Sequence, residues 1–251
     1  MITQKQINVP FKSEIIKQIF VLIISIVMGS NVTAQYFKAG MHTGYGWYQM
    51  NDLKTFQKNL ASSMSSYHVE TVETFPGFIN YDAFMEYSTN DFIFLGVDAS
   101  YCTTGARNHV EDYSGEYRLN FLVNGVSMGL HFKRYSLMEK KFRTFLQFKG
   151  GVVRTSLQMN EMFRVYNETA PRGKYKFKSY GAYLEPSVGI MRQLPYNFQV
   201  EAGVGYTFNL KSDLHLNEDY ERKLQNFDGE TIGVNWSGVR FFVGVSFGIP
   251  K

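Results

Sequence analysis

Hydrophobic and polar residues alternate one for one along most of this chain beyond residue 35. In FQVEAGVGYTFNLK (198–211), Phe198, Val200, Ala202, Val204, Tyr206, Phe208 and Leu210 hold every even position. Gln199, Glu201, Gly203, Gly205, Thr207, Asn209 and Lys211 hold every odd one. A period of two over this length predicts a β-strand with one apolar face and one polar or small face. The pattern recurs in YFKAGMHTGYGWY, FINYDAFMEY, FIFLGVDASY, KFRTFLQFKGGVV, KSYGAYLEPSVGIMRQ and VNWSGVRFFVGVSFGI. An eighth segment, YRLNFLVNGVSMGLHFKRY (117–135), switches phase near Asn124-Gly125, which reads as a β-bulge. Pro186 cannot donate to a ladder and predicts a bulge or a missing bond in its strand.

The eight predicted strands are joined by connections that alternate in length. Ser88-Thr89-Asn90-Asp91, Ser136 to Lys140 and Leu194 to Asn197 are tight, whereas roughly 48–76, 103–116, 155–175 and 212–233 are long. Within the first long link, NDLKTFQKNLASSM sets Leu53, Phe56 and Leu60 at helical spacing, predicting a short amphipathic helix.

Alternation alone leaves open which solvent the apolar faces meet. A soluble lipocalin-like lipid-binding barrel would turn them inward, and a membrane barrel would turn them to lipid. The polar faces are rich in Gly and poor in Lys and Glu, unlike a water-facing surface. Long links at one end and tight turns at the other suit a membrane barrel with long extracellular loops and short periplasmic turns, and an even strand count returns both chain ends to one side. The expected fold is therefore all-β: an eight-stranded antiparallel up-and-down transmembrane β-barrel. Tyr36, Trp47, Tyr87, Tyr101, Tyr117, Tyr135, Tyr180, Phe198 and Trp236 fall near strand ends and are expected to form the interfacial aromatic girdles.

Composition sharpens this picture in three places. Aromatics make 16% of the 251 residues, and aromatic side chains favour strands. A mean hydropathy of −0.23 resembles a soluble protein, yet it is compatible with a membrane barrel because only alternate residues meet lipid. The N-terminus carries Lys12 and Lys17 ahead of an apolar run from Ile19 to Met28, then Val32-Thr33-Ala34. That run is shorter than the ~20 residues of a membrane helix, so 1–34 is expected to be a signal peptide cleaved after Ala34, with 35–251 forming the barrel domain and residing in the outer membrane. Lys5, Lys12 and Lys17 against Glu14 account for half of the net +4, and the remainder, about +2 without a basic run, does not suggest nucleic acid.

An eight-stranded lumen is narrow enough to be filled by side chains. The polar faces supply Asp98, Glu185 and Glu201 with Arg143, Lys149 and Arg240, and these six are expected to form a structural charge network, Glu201 pairing with Arg240 or Lys149. The lone Cys102 is expected to pack as a small apolar group.

The Ala34-Gln35 junction, the first strand AGMHTGYGW and the last strand GVRFFVGVSFG together resemble the small porin-like outer-membrane barrels common in Bacteroidota, some linked to gliding and protein secretion. The resemblance covers 35–251 and is one of pattern and order. It implies a protein without enzymatic activity, assembled by the barrel-assembly machinery, with Phe247 standing for the terminal aromatic that this machinery reads. The chain departs from that pattern by running on to Lys251.

Catalytic and cofactor motifs are absent from the sequence: there is no Walker-type loop and no HExxH. His68 and His109 fall in long links, near Glu70, Glu111 and Asp112, without triad spacing. Neither HVEDYSGEY nor LNEDYERKLQNFDGE matches a calcium-loop spacing. No catalytic, cofactor or metal site is expected. The expected role is structural, adhesive or as a complex subunit, through external loops that meet an envelope protein or polysaccharide, with outer-membrane lipid around the wall. A narrow porin is the remaining alternative.

Overall fold

A computed structural model describes residues 36–63, 70–88, 92–113, 115–136, 142–165, 168–169 and 173–250. The signal-peptide expectation for 1–34 lies outside them. Eight long strands form the wall: β1 (Tyr36–Tyr48), β2 (Phe78–Ser88), β3 (Ile93–Asp112), β4 (Gly115–Tyr135), β5 (Phe142–Val165), β6 (Gly173–Gln193), β7 (Phe198–Asn209) and β8 (Gly238–Pro250). Each pairs antiparallel with the next. β8 returns to β1 from Tyr36↔Pro250 to Tyr48↔Gly238, closing the ring. This is an eight-stranded antiparallel up-and-down transmembrane β-barrel, and closure leaves no unpaired strand edge in the lipid zone.

Two of the expected long links are largely strand. β3 and β4 run to Asp112 and restart at Gly115, and β5 and β6 reach Val165 and Gly173. These four strands are 20–24 residues long, whereas β1, β2, β7 and β8 have 11–13. A crossing takes ~9–11 residues. The remainder stands clear as a four-stranded sheet whose two edges are each covered by a short strand. Glu70–Thr74 pairs with β3, and His215–Leu216 pairs with β6. Covering such edges removes templates for aggregation.

The phase switch at Asn124-Gly125 is not a bulge. β4 keeps one register through it, with Thr103↔Asn124 and Cys102↔Gly125 on one side and Asn124↔Ser156 and Gly125↔Thr155 on the other. The odd residues of β4 face inward along the whole strand; what changes is the surroundings. From Ser127 to Lys133 the inward residues are polar or Gly, while Val126, Met128, Leu130 and Phe132 are exposed on the outside. From Tyr117 to Val123 the inward residues are apolar and buried. The outside passes from lipid to water at Asn124, and the inside passes from an ionic lumen to an apolar core.

That core is built by the connections. The helix α1 (Asn51–Ser63) forms where the sequence predicted it and buries Leu53 and Phe56. Leu214, Ile232, Val234 and Trp236 come in from the link between β7 and β8 and pack with them against Leu119, Phe121, Val123 and Leu157. At Pro186 the β6–β7 register is unchanged, but Glu185 and Pro186 make no pair with β7; the ladder bonds are missing and there is no bulge. Among the described residues no helix is long and apolar enough to cross a membrane.

Candidate functional site

Two features of the barrel carry chemistry: its ionic lumen and the polar platform above it. The lumen charges come from strand positions of one parity, so alternation brings them together. Near the tight-turn end, Glu201 accepts from Lys38 Nζ (2.8 Å), Lys133 Nζ (2.9 Å) and the Tyr135 hydroxyl (2.9 Å), with His42 Nε2 at 3.3 Å. Glu86 takes the other side of Lys38 and Lys133. His131 lies between two carboxylates, Nε2 3.0 Å from Glu86 and Nδ1 3.3 Å from Asp98. Gly96 makes this position possible, since a Cβ there would come within 2.6 Å of His131 Nε2. Rings complete the layer: Lys133 Nζ lies 4.9 Å from the Phe84 centroid and 5.1 Å from that of Phe145, within cation–π range.

A second cluster lies deeper. Arg240 donates to Glu185 (2.8 Å) and Asp82 (3.2 Å), Lys149 reaches Asp82 (3.4 Å), and Thr207 donates to Glu185 (2.6 Å). Tyr183 donates to Asp98 at 3.1 Å. All these charged groups are buried. An unpaired ion here would cost several kcal/mol, so the pairing is a condition of folding.

Of the six residues expected in a network, Lys149, Glu185 and Arg240 lie together, and Asp98 belongs to the other cluster, through His131. Glu201 does not meet Arg240 or Lys149. Its register partner on β8 is Gly244, four residues from Arg240, and its cations are Lys38 and Lys133. Arg143 is only half-buried and makes no ion pair among the described residues. Lys38, Asp82, Glu86, His42, His131 and Lys133 complete the network. The signal that could have found them is parity: each occupies the lumen phase of its strand.

The expected girdle also needs correction. Tyr117 and Tyr135 are buried inside the protein because their parity points inward, and Trp236 is buried because the link before β8 carries it into the core. Trp47, Tyr101, Tyr180 and Phe198 are exposed on the wall, and Tyr45, Phe241 and Phe247 join them.

The ionic layers and the apolar core meet at a cavity of about 20 Å³ lined in part by Tyr48, Cys102, Thr207, Trp236 and Arg240, room for about one water. Trp236 seals it, its Nε1 donating to Thr155 Oγ1 (2.8 Å) while its ring packs edge-on against Tyr48. Larger hollows, one of 640 Å³ beside Ala39, Met41, Ala83 and Met85, belong to the outer wall. The arrangement is the inverse of a soluble ligand-binding barrel: ions inside, and Met41, Val97, Val188 and Val243 more than half exposed outside.

On the platform, Lys211 holds Asp52 (2.6 Å) at the start of α1, and this raises the lysine's pKa. Glu116 receives Arg164 and lies 3.4 Å from His109 Nε2. The Arg164 hydrogen bond holds the Glu116 carboxyl below its ordinary pKa. His109 thus meets Glu116, which is not among Glu70, Glu111 and Asp112, although Glu70 stands opposite it in register; His68 lies outside the described residues.

No family model and no curated protein matches this chain. Among solved structures, it is similar to the outer membrane protein OprG from Pseudomonas aeruginosa, with 9% identity over 87% of this chain and 97% of that one, at a TM-score of 0.45. Neisserial surface protein A shows 10% identity over 85% and 96%, at 0.40. The attachment invasion locus protein of Yersinia pestis, in complex with the heparin analogue sucrose octasulfate, shows 12% over 85% and 99%, at 0.36. The barrel fold is carried by this chain's own closed register.

Proposed function

We propose that this chain is a non-enzymatic outer-membrane barrel, exported through a signal peptide removed near Ala34. Its lumen is scaffold, and its work is done by the platform beyond the membrane. The supporting observation is the inversion at Asn124: an apolar wall with ionic filling on one side, a polar surface over a folded apolar core on the other. A chain that only had to sit in the bilayer would not need strands twice the crossing length. The extended sheet, α1 and the 212–234 link form an ordered surface suited to an envelope protein or polysaccharide, in adhesion, envelope structure or as a subunit of an envelope complex. The resemblance to small Bacteroidota barrels points the same way.

A conducting pore is disfavoured by fully paired ions and by the Trp236 seal. The test combines fractionation with bilayer recording. The protein should partition with outer membrane, migrate differently on gels before and after heating, and give no discrete current steps. Release as a soluble periplasmic protein would overturn the membrane assignment, and stepwise conductance would overturn the sealed lumen. Affinity capture of the tagged protein from membranes then identifies the partner.

A further inference from the structure

Above the lipid belt, the outer face of β5 and β6 and the link beside it carry opposite charge. Lys174, Lys176 and Lys178 occupy alternate positions on that face of β6, about 7 Å apart. Arg154 of β5 stands opposite Tyr180 at the end of their row. The 212–234 link runs along the other edge of β6, with His215 opposite Lys178 and the Asn217 N–H donating to Lys176 O (2.8 Å). It then turns back, the Leu216 N–H donating to Arg222 O (2.8 Å), and carries Glu218, Glu221, Asp228 and Glu230.

Neither set is neutralised within the chain. Among the described residues the four cations make no ion pair, and neither do Glu218, Glu221 and Asp228. Glu230 meets only the Asn226 amide (3.2 Å), while Arg222 and Lys223 are taken by Asp219 and Asp213. His215 and Asn217 stand between the two sets, so the returning strand lies two strand spacings, about 10 Å, from the lysines. The link is held in shape: Asn226 Oδ1 accepts the Asp228 and Glu230 N–H groups (3.0 and 2.8 Å), and the His215 ring stacks on Tyr220 at 4.1 Å. A preformed surface docks without the cost of ordering it. Tyr220 and Phe227 are exposed among the carboxylates, and aromatic side chains are the residues that most often anchor an interface.

Two copies in one membrane share their up-down orientation, so a two-fold axis relating them must lie along the membrane normal. Rotation by 180° about that axis exchanges left and right. It sets the acidic link of each copy opposite the basic row of the other. A patch of one sign repels its own copy, whereas two adjacent patches of opposite sign complement theirs. We propose that the chain forms a two-fold dimer in the membrane, the 217–230 segment of each copy docking on the Arg154, Lys174, Lys176 and Lys178 face of the other. The proposal rests on the membrane-spanning reading above and gives its platform a partner, a second copy of this chain.

The test reads Förster transfer between donor- and acceptor-labelled mature chains in phosphatidylcholine vesicles. The labels sit at the exposed Tyr113 (Tyr113→Cys in a Cys102→Ser background), and heat-modifiable migration checks folding and insertion. Transfer should exceed that of randomly placed monomers. It should fall as salt rises from about 0.1 M to about 1 M, where the screening length drops from about 10 Å to about 3 Å. The Lys174→Glu, Lys176→Glu, Lys178→Glu variant and the Glu218→Lys, Glu221→Lys, Asp228→Lys variant should each lose dimer affinity by on the order of a hundredfold, since every substitution acts twice in a two-fold dimer. Mixed together, the two variants should pair at least as tightly as the parent, because one presents only acidic and the other only basic patches. A monomeric parent, a dimer indifferent to salt, or two folded variants that stay monomeric when mixed overturns the proposal while leaving the barrel reading intact. A monomeric parent that binds heparin through the same lysines assigns the face to a soluble polyanion and equally overturns it. Failure of the unmodified chain to insert would instead strike the membrane reading.

Discussion

Replacing Glu201 by Gln should destabilise the barrel more than any other single isosteric change in the lumen. The carboxylate is 1% exposed and receives Lys38, Lys133 and Tyr135, with His42 in contact. The amide keeps the shape and removes the charge, leaving two buried ammonium groups to share Glu86. Hydrogen bonds to charged groups contribute about 1.5–3 kcal/mol each, but those sharing one carboxylate do not add. Breaking a buried ion pair by removing one partner costs about 3–5 kcal/mol, and that is the expected loss. Urea unfolding in lipid vesicles measures it, read by the fluorescence of Trp47 and Trp236. Adding Lys133→Met restores neutrality around the Lys38–Glu86 pair, so the double variant should recover most of the loss, to within about 2 kcal/mol of the parent. A Glu201→Gln loss below about 1 kcal/mol, or a double variant as costly as the two single changes added, would refute the buried network as described.

Three further outcomes are expected. Val188→Arg, in the apolar belt, should cost about 2–4 kcal/mol in the same assay, whereas Lys178→Ser above it should stay within about 0.5. Leu53→Ala should cost about 2–5 kcal/mol by leaving a void in the apolar core; bilayer recordings should stay silent because the ionic layers still fill the lumen. The Glu116–Arg164 clip has a definite pH sense. Since Arg164 lowers the folded-state pKa of Glu116, its stabilisation is fully present above the ordinary glutamate value of about 4.3 and is lost as pH falls through the lower folded value. Protection of the amides of 116–118 against hydrogen exchange, corrected for the intrinsic rate at each pH, should fall on acidification in the parent, and Arg164→Gln should flatten that dependence.

Much of the barrel is legible in the chain because one physical rule, alternation against two solvents, writes it. All eight strands follow from parity, and so does the inward placement of Asp98, Lys149, Glu185, Glu201 and Arg240. Partners are not legible from parity alone. Which cation meets Glu201 depends on how strands across the ring are staggered, and Lys38 and Lys133 come from β1 and β4, not from the neighbouring β8. The extents of β3 to β6 were hidden for a different reason. Above Asn124 the inside becomes apolar and the outside polar, so the pattern inverts without any change in backbone geometry, and an inversion resembles a bulge or the end of a strand. Tyr117 and Tyr135 show the same limit: closeness to a strand end suggested a girdle, while their parity already pointed inward; Trp236 lies in the link before β8, where no parity applies.

In this barrel the wall faces lipid while the lumen holds the ions. Spin labels placed singly at Met128, Val188 and Val243 in a Cys102→Ser background, with the protein in bilayers, test this most directly through collision with oxygen and with a water-soluble nickel chelate. High oxygen and low chelate accessibility at all three sites is the predicted result. Chelate accessibility equal to that of a label at Tyr220, exposed on the 212–234 link, would contradict it.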